Sequence, residues 1–312
     1  MNTIVKVSIL SALFMAFSQA VFADGVVLYS NIPDPVLLAP NPFPAGFKYS
    51  APYEAGAMGE FGGLIQFAGG SSEYSLTSAT FVLNSGAVAS DFTDYIDGTL
   101  AAPTGYAVTP SGFYVPMTLS FYNTGAGYAT GSEIGSVTVD ALVSWRPEPN
   151  SACPVVYGIN EWESSSGKCY DGALSIVTFD LSGIEVPTQV IYGLAFSTTD
   201  YGASPTTGFS GPDDSLNIQL VEGSPAAGIN PLSDTAYFES SEGSNYTDGG
   251  AAGTGTFRQD QGWTPYGSGA AQFMGNPVSE PTPEPSSLLL LGTGLAGLAT
   301  GLLRKARSKG LA

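Results

Sequence analysis

Apolar and polar residues alternate with a period of two through much of this chain, and helical periodicity is scarce. From 113 to 121, Phe113, Val115, Met117, Leu119 and Phe121 share one face, as every second side chain of a strand must. Val137, Val139, Ala141, Val143 and Trp145 form a second such row, opposed by Ser136, Thr138, Asp140 and Ser144. Leu216, Ile218 and Leu220 form a third, with Ser215, Asn217 and Gln219 turned outward. Gln189 to Phe196 and Leu174 to Phe179 are apolar on nearly both faces and read as central strands. With Val26 to Tyr29, Leu64 to Phe67, Tyr74 to Leu83 and Thr235 to Phe238, the pattern predicts roughly nine strands separated by Gly, Pro, Asn, Asp and Ser turns. That is an all-β chain. The expected architecture is a two-sheet β-sandwich, of jelly-roll type, with Pro116 on an edge strand or at a bulge because proline cannot donate to a ladder.

The two ends depart from this pattern. Lys6 is followed by an apolar run from Val7 to Phe17, with Val21 and Ala23 placed as small residues before Asp24; this is the layout of a secretory signal peptide over 1–23. At the other end, residues 276–285 hold four prolines and read as a stiff spacer. The 18 uncharged residues from Ser286 to Leu303 would make a helix of about 27 Å, near the minimum for crossing a bilayer. Arg304, Lys305, Arg307 and Lys309 follow at once and are expected to stop the helix and stay cytoplasmic by the positive-inside rule. The organisation expected is therefore a signal peptide over 1–23, a sandwich domain over 24–275, a spacer over 276–285, a transmembrane helix over 286–303 and a basic tail over 304–312. Gly297 and Gly301 have the spacing that lets membrane helices approach closely, although glycine is common in such helices anyway.

Charge changes the picture once both ends are set aside. Between Asp24 and Pro283 only Lys48, Arg146, Lys168 and Arg258 oppose 26 carboxylates, a net charge of −22. Such a body repels phosphate backbones, so nucleic-acid partners are not expected. Histidine is absent, which removes the Ser-His and Cys-His nucleophile pairs and any imidazole metal site. Cys153 and Cys169, the two cysteines of the chain, are expected to form a disulfide in an exported protein and lack the Cys-x-x-Cys spacing of a redox pair.

Pro283-Glu284-Pro285, the apolar run and the basic tail resemble, in that order, the PEP-CTERM sorting signal of Gram-negative bacteria. The resemblance implies processing by an exosortase, a membrane protease that acts at or near the Pro-Glu-Pro step, after export through the Sec machinery and transient residence in the inner membrane. It also implies a final place at the cell surface or outside the cell, in company with extracellular polysaccharide and biofilm. The body, through Gly167 to Gly172, the paired strands of 174–202 and Asp214 to Asn217, is similar to that of other exported PEP-CTERM proteins, a likeness that brings no activity with it.

Candidate chemistry in the body is sparse. Asp91, Asp94 and Asp97 are candidates for a Ca²⁺ loop, though their spacing departs from the EF-hand pattern and an acidic solvated face accounts for them better. Asp213 and Asp214, after Gly211-Pro212, form either a second such loop or a plain turn. Glu161 and Glu163 flank Trp162 at a separation suited to glycoside hydrolysis, but inside the loop that the cysteines close, where a carboxyl stays solvated. Trp162 and Trp263 lie in turn-rich segments and are candidates for stacking on sugar rings, whereas Trp145 belongs to its strand. The expectation is a non-enzymatic surface or extracellular-matrix protein without a cofactor. A carbohydrate-binding module and a glycan hydrolase are the alternatives.

Overall fold

The computed structural model describes residues 25–33, 49–54, 56–103, 106–156, 159–202, 204–206, 208–240, 256–266 and 268–278. The predicted signal peptide, transmembrane helix and basic tail, with Pro283, Glu284, Pro285, Arg304, Lys305, Arg307 and Lys309, lie outside these residues. Among the described residues no helix is long and apolar enough to cross a membrane. The strands are β1 (Val26–Ser30), β2 (Tyr49–Pro52), β3 (Met58–Gln66), β4 (Glu73–Ser85), β5 (Ala107–Thr109), β6 (Gly112–Thr124), β7 (Thr130–Ser144), β8 (Val155–Val156), β9 (Ile159–Asn160), β10 (Trp162–Glu163) and β11 (Cys169–Tyr170). They continue with β12 (Ala173–Asp180), β13 (Glu185–Pro187), β14 (Gln189–Phe196), β15 (Leu216–Val221), β16 (Thr235–Ser240), β17 (Arg258–Gln261), β18 (Ser268–Gly269) and β19 (Ala271–Pro277).

Two large antiparallel sheets result. The first runs β1-β19-β4-β15-β18, with β12 and β13 also pairing with β4 and β2 with β15. The second runs β17-β16-β3-β14-β6-β5, with β7 also pairing with β6. Their facing sides meet in one core. The alternation of β6 is realised as predicted, with Phe113, Val115, Met117, Leu119 and Phe121 all buried. Phe81 and Phe273 of the first sheet meet Tyr192 and Phe121 of the second, with Phe81–Tyr192 ring centroids 5.7 Å apart and Phe121–Phe273 centroids 5.9 Å apart. Large rings at these spacings dominate the buried apolar area, and burying each such side chain contributes roughly 1.5–3 kcal/mol. Tyr53 ties the layers together by donating its phenol to the Leu194 carbonyl at 2.5 Å.

Four features differ from the pattern read along the chain. Gln219 is buried, not outward: its Nε2 donates to the Tyr49 carbonyl at 2.6 Å. A small second apolar cluster of Ile32, Val82, Val221 and Ala270 also packs among the described residues. The strand β19 runs through Pro277, and the Val278 amide still donates to Glu73 at 3.0 Å, so the sandwich extends past the boundary expected at 275. Pro116 stands neither on an edge strand nor at a recorded bulge. It pairs with Asp140 of β7, but β14 pairs with β6 only from Met117 onward and β5 only as far as Tyr114. The missing proline N–H therefore falls in the gap between two partner strands, where no ladder bond is required.

Candidate functional site

That gap is a structural opening. Strand β14 ends at Phe196, and the chain leaves the sheet instead of pairing further with β6. The departing segment is held off the sheet by its own hydrogen bonds. The Thr198 amide donates to the Tyr201 carbonyl at 2.9 Å, and the Ser204 amide to Ser197 Oγ at 2.9 Å. Gly202 permits the turn with φ of +96°, since a Cβ there would stand 2.6 Å from Ser197 Cα. Thr199 fastens the segment to the 3-10 turn Pro212–Ser215 by giving its amide and hydroxyl to Asp214 Oδ1 at 3.0 and 2.6 Å. What remains open is a cavity of about 330 Å³. Its walls carry Tyr106, Pro116, Thr118, Ser197, Ser204 and Thr206, over Gly59 and Ala195.

Two buried carboxyl groups stand beside this opening. Glu60 is directly opposite Ala195 in the β3–β14 ladder and directly opposite Glu239 in the β3–β16 ladder. Alternation places it with Gly62 and Leu64 on the side of the second sheet away from the core, because Phe61 and Ile65 belong to the core. It is only 8% exposed. Its carboxyl lies over Gly193, where a Cβ would meet Oε1 at 1.9 Å, and accepts the Tyr122 hydroxyl at 2.9 and 3.2 Å. Burial raises its pKa to about 7; the Tyr122 hydrogen bond works against this, and the charges of Glu239 and Glu133 add to it.

Asp213 is fully buried, and no well-aligned hydrogen bond reaches its carboxyl oxygens among the described residues. Burial raises its pKa to about 7; hydrogen bonding from its own backbone amide and from the Tyr106 phenol works against this, and the charges of Asp214 and Glu54 add to it. The Tyr106 phenol on the cavity wall lies beside it, and burial together with the Asp213 charge pushes that phenol up to about 12. Behind Tyr106, Phe209 packs edge-on against both Tyr106 and Tyr95, with centroids 5.3 Å apart in each case. Glu54, also raised by burial and by the charges of Asp214 and Asp200, completes an acidic surround. Perturbed carboxyls at the margin of a cavity mark it as a candidate ligand site.

Of the residues singled out by sequence, Asp213 and Asp214 stand at this opening and the others fall elsewhere. Trp162 is 3% exposed, donates its indole N–H to the Gly172 carbonyl at 2.9 Å and packs against Tyr170, so it offers no open ring face. The β10–β11 pairing and the cysteine loop fold it inward. Trp263 is half-buried, donates to Asp260 Oδ2 at 2.8 Å and packs edge-on against Phe61 and Phe238. Trp145 donates to the Thr109 carbonyl and stacks on Phe92. Asp91, Asp94 and Asp97 are all exposed along two short helical turns. No group of three or more His, Cys, Asp or Glu placed to hold a metal ion occurs among the described residues. Glu163 is exposed and accepts the Asn150 amide at 2.7 Å, and Glu161 is half-buried. Cys153 and Cys169 are joined in a disulfide with Cα atoms 5.6 Å apart. Arg146 anchors the base of that loop by donating to the Gly86 and Asn160 carbonyls at 2.7 and 3.0 Å.

Sequence reasoning missed Glu60, Tyr122 and Tyr106. The available signal was a charged residue inside the run Met58 to Gln66, where a glutamate among glycines and large apolar residues has no solvent face to occupy. No curated protein and no solved structure matches the chain. The family model that does match is that of the PEP-CTERM protein-sorting motif, over residues 281–305. The span starts at the end of the proline-rich segment and closes on the first two basic residues of the tail, so the chain carries a PEP-CTERM protein-sorting motif at its C-terminal end.

Proposed function

We propose that this protein is a non-enzymatic component of the cell surface or extracellular matrix, exported through the Sec machinery and sorted by an exosortase. The observation that carries this reading is the sorting motif over 281–305. Residues 1–23 act as the signal peptide, and 286–303 hold the chain transiently in the inner membrane. Arg304, Lys305, Arg307 and Lys309 stay in the cytoplasm, because moving each charge outward opposes the membrane potential by about 2.3 kcal/mol per 100 mV. Pro283-Glu284-Pro285 then waits at the outer face for processing. The disulfide between Cys153 and Cys169 suits this route, since such bonds persist in oxidising compartments. The experiment is to label intact cells with and without the exosortase using a membrane-impermeant reagent and to fractionate surface, medium and inner membrane. The expected result is surface or medium protein with the exosortase and inner-membrane protein without it. Equal distribution in the two strains refutes the reading.

A further inference from the structure

We propose that the cavity where β14 leaves β6 binds a neutral sugar residue, with Tyr106 as its principal contact. This inference stands independently of how the chain is sorted. The opening is built and held, not left over. Pro116 removes the donor that would extend the ladder, and the Thr198–Tyr201 and Ser197–Ser204 hydrogen bonds keep the departing chain from folding down onto the sheet. Its volume of about 330 Å³ lies at the small end of ligand pockets.

The lining selects the ligand class. Among the described residues no charged side chain lines the cavity, although the chain has a net charge of −18. The hydroxyl-bearing residues Tyr106, Thr118, Ser197, Ser204 and Thr206 share the lining with Val115, Pro116 and Phe196. A sugar ring presents this same mixture, with C–H faces for apolar surface and a rim of hydroxyls for polar partners. A purely apolar ligand would strip water from wall hydroxyls whose bonding capacity is only partly met within the protein, as for Thr118 by Thr138 and Ser197 by the Ser204 amide, and each hydroxyl left short costs about 1–3 kcal/mol. An anionic ligand would enter a strongly acidic surround that includes Glu54, Asp213 and Asp214. A metal ion finds no set of three carboxylates gathered among the described residues.

Tyr106 is the contact, and Asp213 is a positioning residue. The phenol sits between Thr206 on the cavity wall and the buried Asp213 carboxyl, both of which bear on its titration. No well-aligned hydrogen bond reaches the Asp213 oxygens among the described residues, and the side chain whose hydrogen bonding bears on that carboxyl is the Tyr106 phenol. A donor entering beside Tyr106 lets the phenol turn its proton toward Asp213 while its oxygen accepts from the ligand, so ligand hydroxyl, phenol and carboxyl form one chain of hydrogen bonds.

The test is calorimetric titration of the full chain in detergent with cellotetraose, mannotetraose, chitotetraose and, as the acidic probe, tetragalacturonate. At least one neutral probe should bind with Kd below about 1 mM. Tyr106→Ala should weaken that binding by about tenfold or more, in the range of a lost aromatic contact and hydrogen bond. Ala195→Leu, which fills the floor, should abolish it while leaving the circular dichroism spectrum unchanged, so that loss of fold is separated from loss of site. Asp213→Asn should weaken binding less than Tyr106→Ala and move the tyrosine absorbance titration, which a merely structural role would not. Failure of all three neutral probes, preference for tetragalacturonate, or binding indifferent to both Tyr106→Ala and Ala195→Leu overturns the proposal.

Discussion

Glu60→Gln is the substitution whose consequence can be worked out most fully from the structure. Glu60 is 8% exposed, and its pKa is raised from 4.5 to about 7 by burial, with Glu239 and Glu133 adding to the effect. Below pH 4.5 the carboxyl is protonated in both the folded and unfolded chains and contributes no pH dependence. Between 4.5 and about 7 the folded chain holds a proton that the unfolded chain has released, so stability falls as pH rises. A shift of this size corresponds to about 3 kcal/mol, lost by pH 8. Glutamine is nearly isosteric, stays neutral at every pH, and keeps an oxygen to accept from Tyr122. Urea unfolding of wild type and Glu60→Gln at intervals from pH 4 to 8 should therefore give curves that meet near pH 4 and separate by up to about 3 kcal/mol at pH 8, the variant being more stable. Parallel curves across that range would show that Glu60 is ionised in the folded chain and that the desolvation argument fails.

Asp213→Asn should behave in the same direction, relieving a loss of stability between pH 4 and about 7, because the folded carboxyl is raised from 3.8 to about 7; thermal melts at pH 5 and pH 8 check it. Gly62→Ala should destabilise by about 1–3 kcal/mol or more in urea, because its Cβ would stand 1.7 Å from the Tyr192 carbonyl oxygen and must push β14 from β3. Phe273→Ala, which removes a ring in contact with Phe81, Phe121 and Tyr192, should lower stability by about 3–5 kcal/mol by the same assay. Reducing the Cys153–Cys169 bond should add two hydrogen masses per chain and lower stability by about 3 kcal/mol, read by intact mass and by melting with and without reductant.

What was legible in the sequence followed from periodicity. The row from Phe113 to Phe121 could lie on only one face, and the structure buries all five of its apolar members. Strand β19 was not legible, because Gly275 and Pro277 read as turn residues, yet it supplies Phe273 to the centre of the core. Its pairing with β4 across about two hundred residues of sequence carries no local signature. Trp162 was misplaced because the surrounding serines and glycines signal a turn, while its burial depends on the β10–β11 pairing and the cysteine loop. Asp213 and Asp214 are alike in sequence and opposite in setting. One is sealed inside beside the Tyr106 phenol, and the other accepts from Thr199 and Ser210. The cavity itself arises from where three strands stop pairing, a property of register that no single segment encodes.

The central claim, that the C-terminal segment is a signal removed on sorting, is tested most directly by the intact mass of the protein recovered from surface and medium of an exosortase-bearing host, beside Glu284→Ala and a chain lacking residues 304–312. The account predicts that wild-type protein ends at or near Pro283-Glu284-Pro285, that Glu284→Ala stays uncut in the inner membrane, and that loss of the basic tail also prevents cutting. Wild-type protein that keeps residues 286–312 in every fraction of that host would make the segment a permanent anchor and contradict the account.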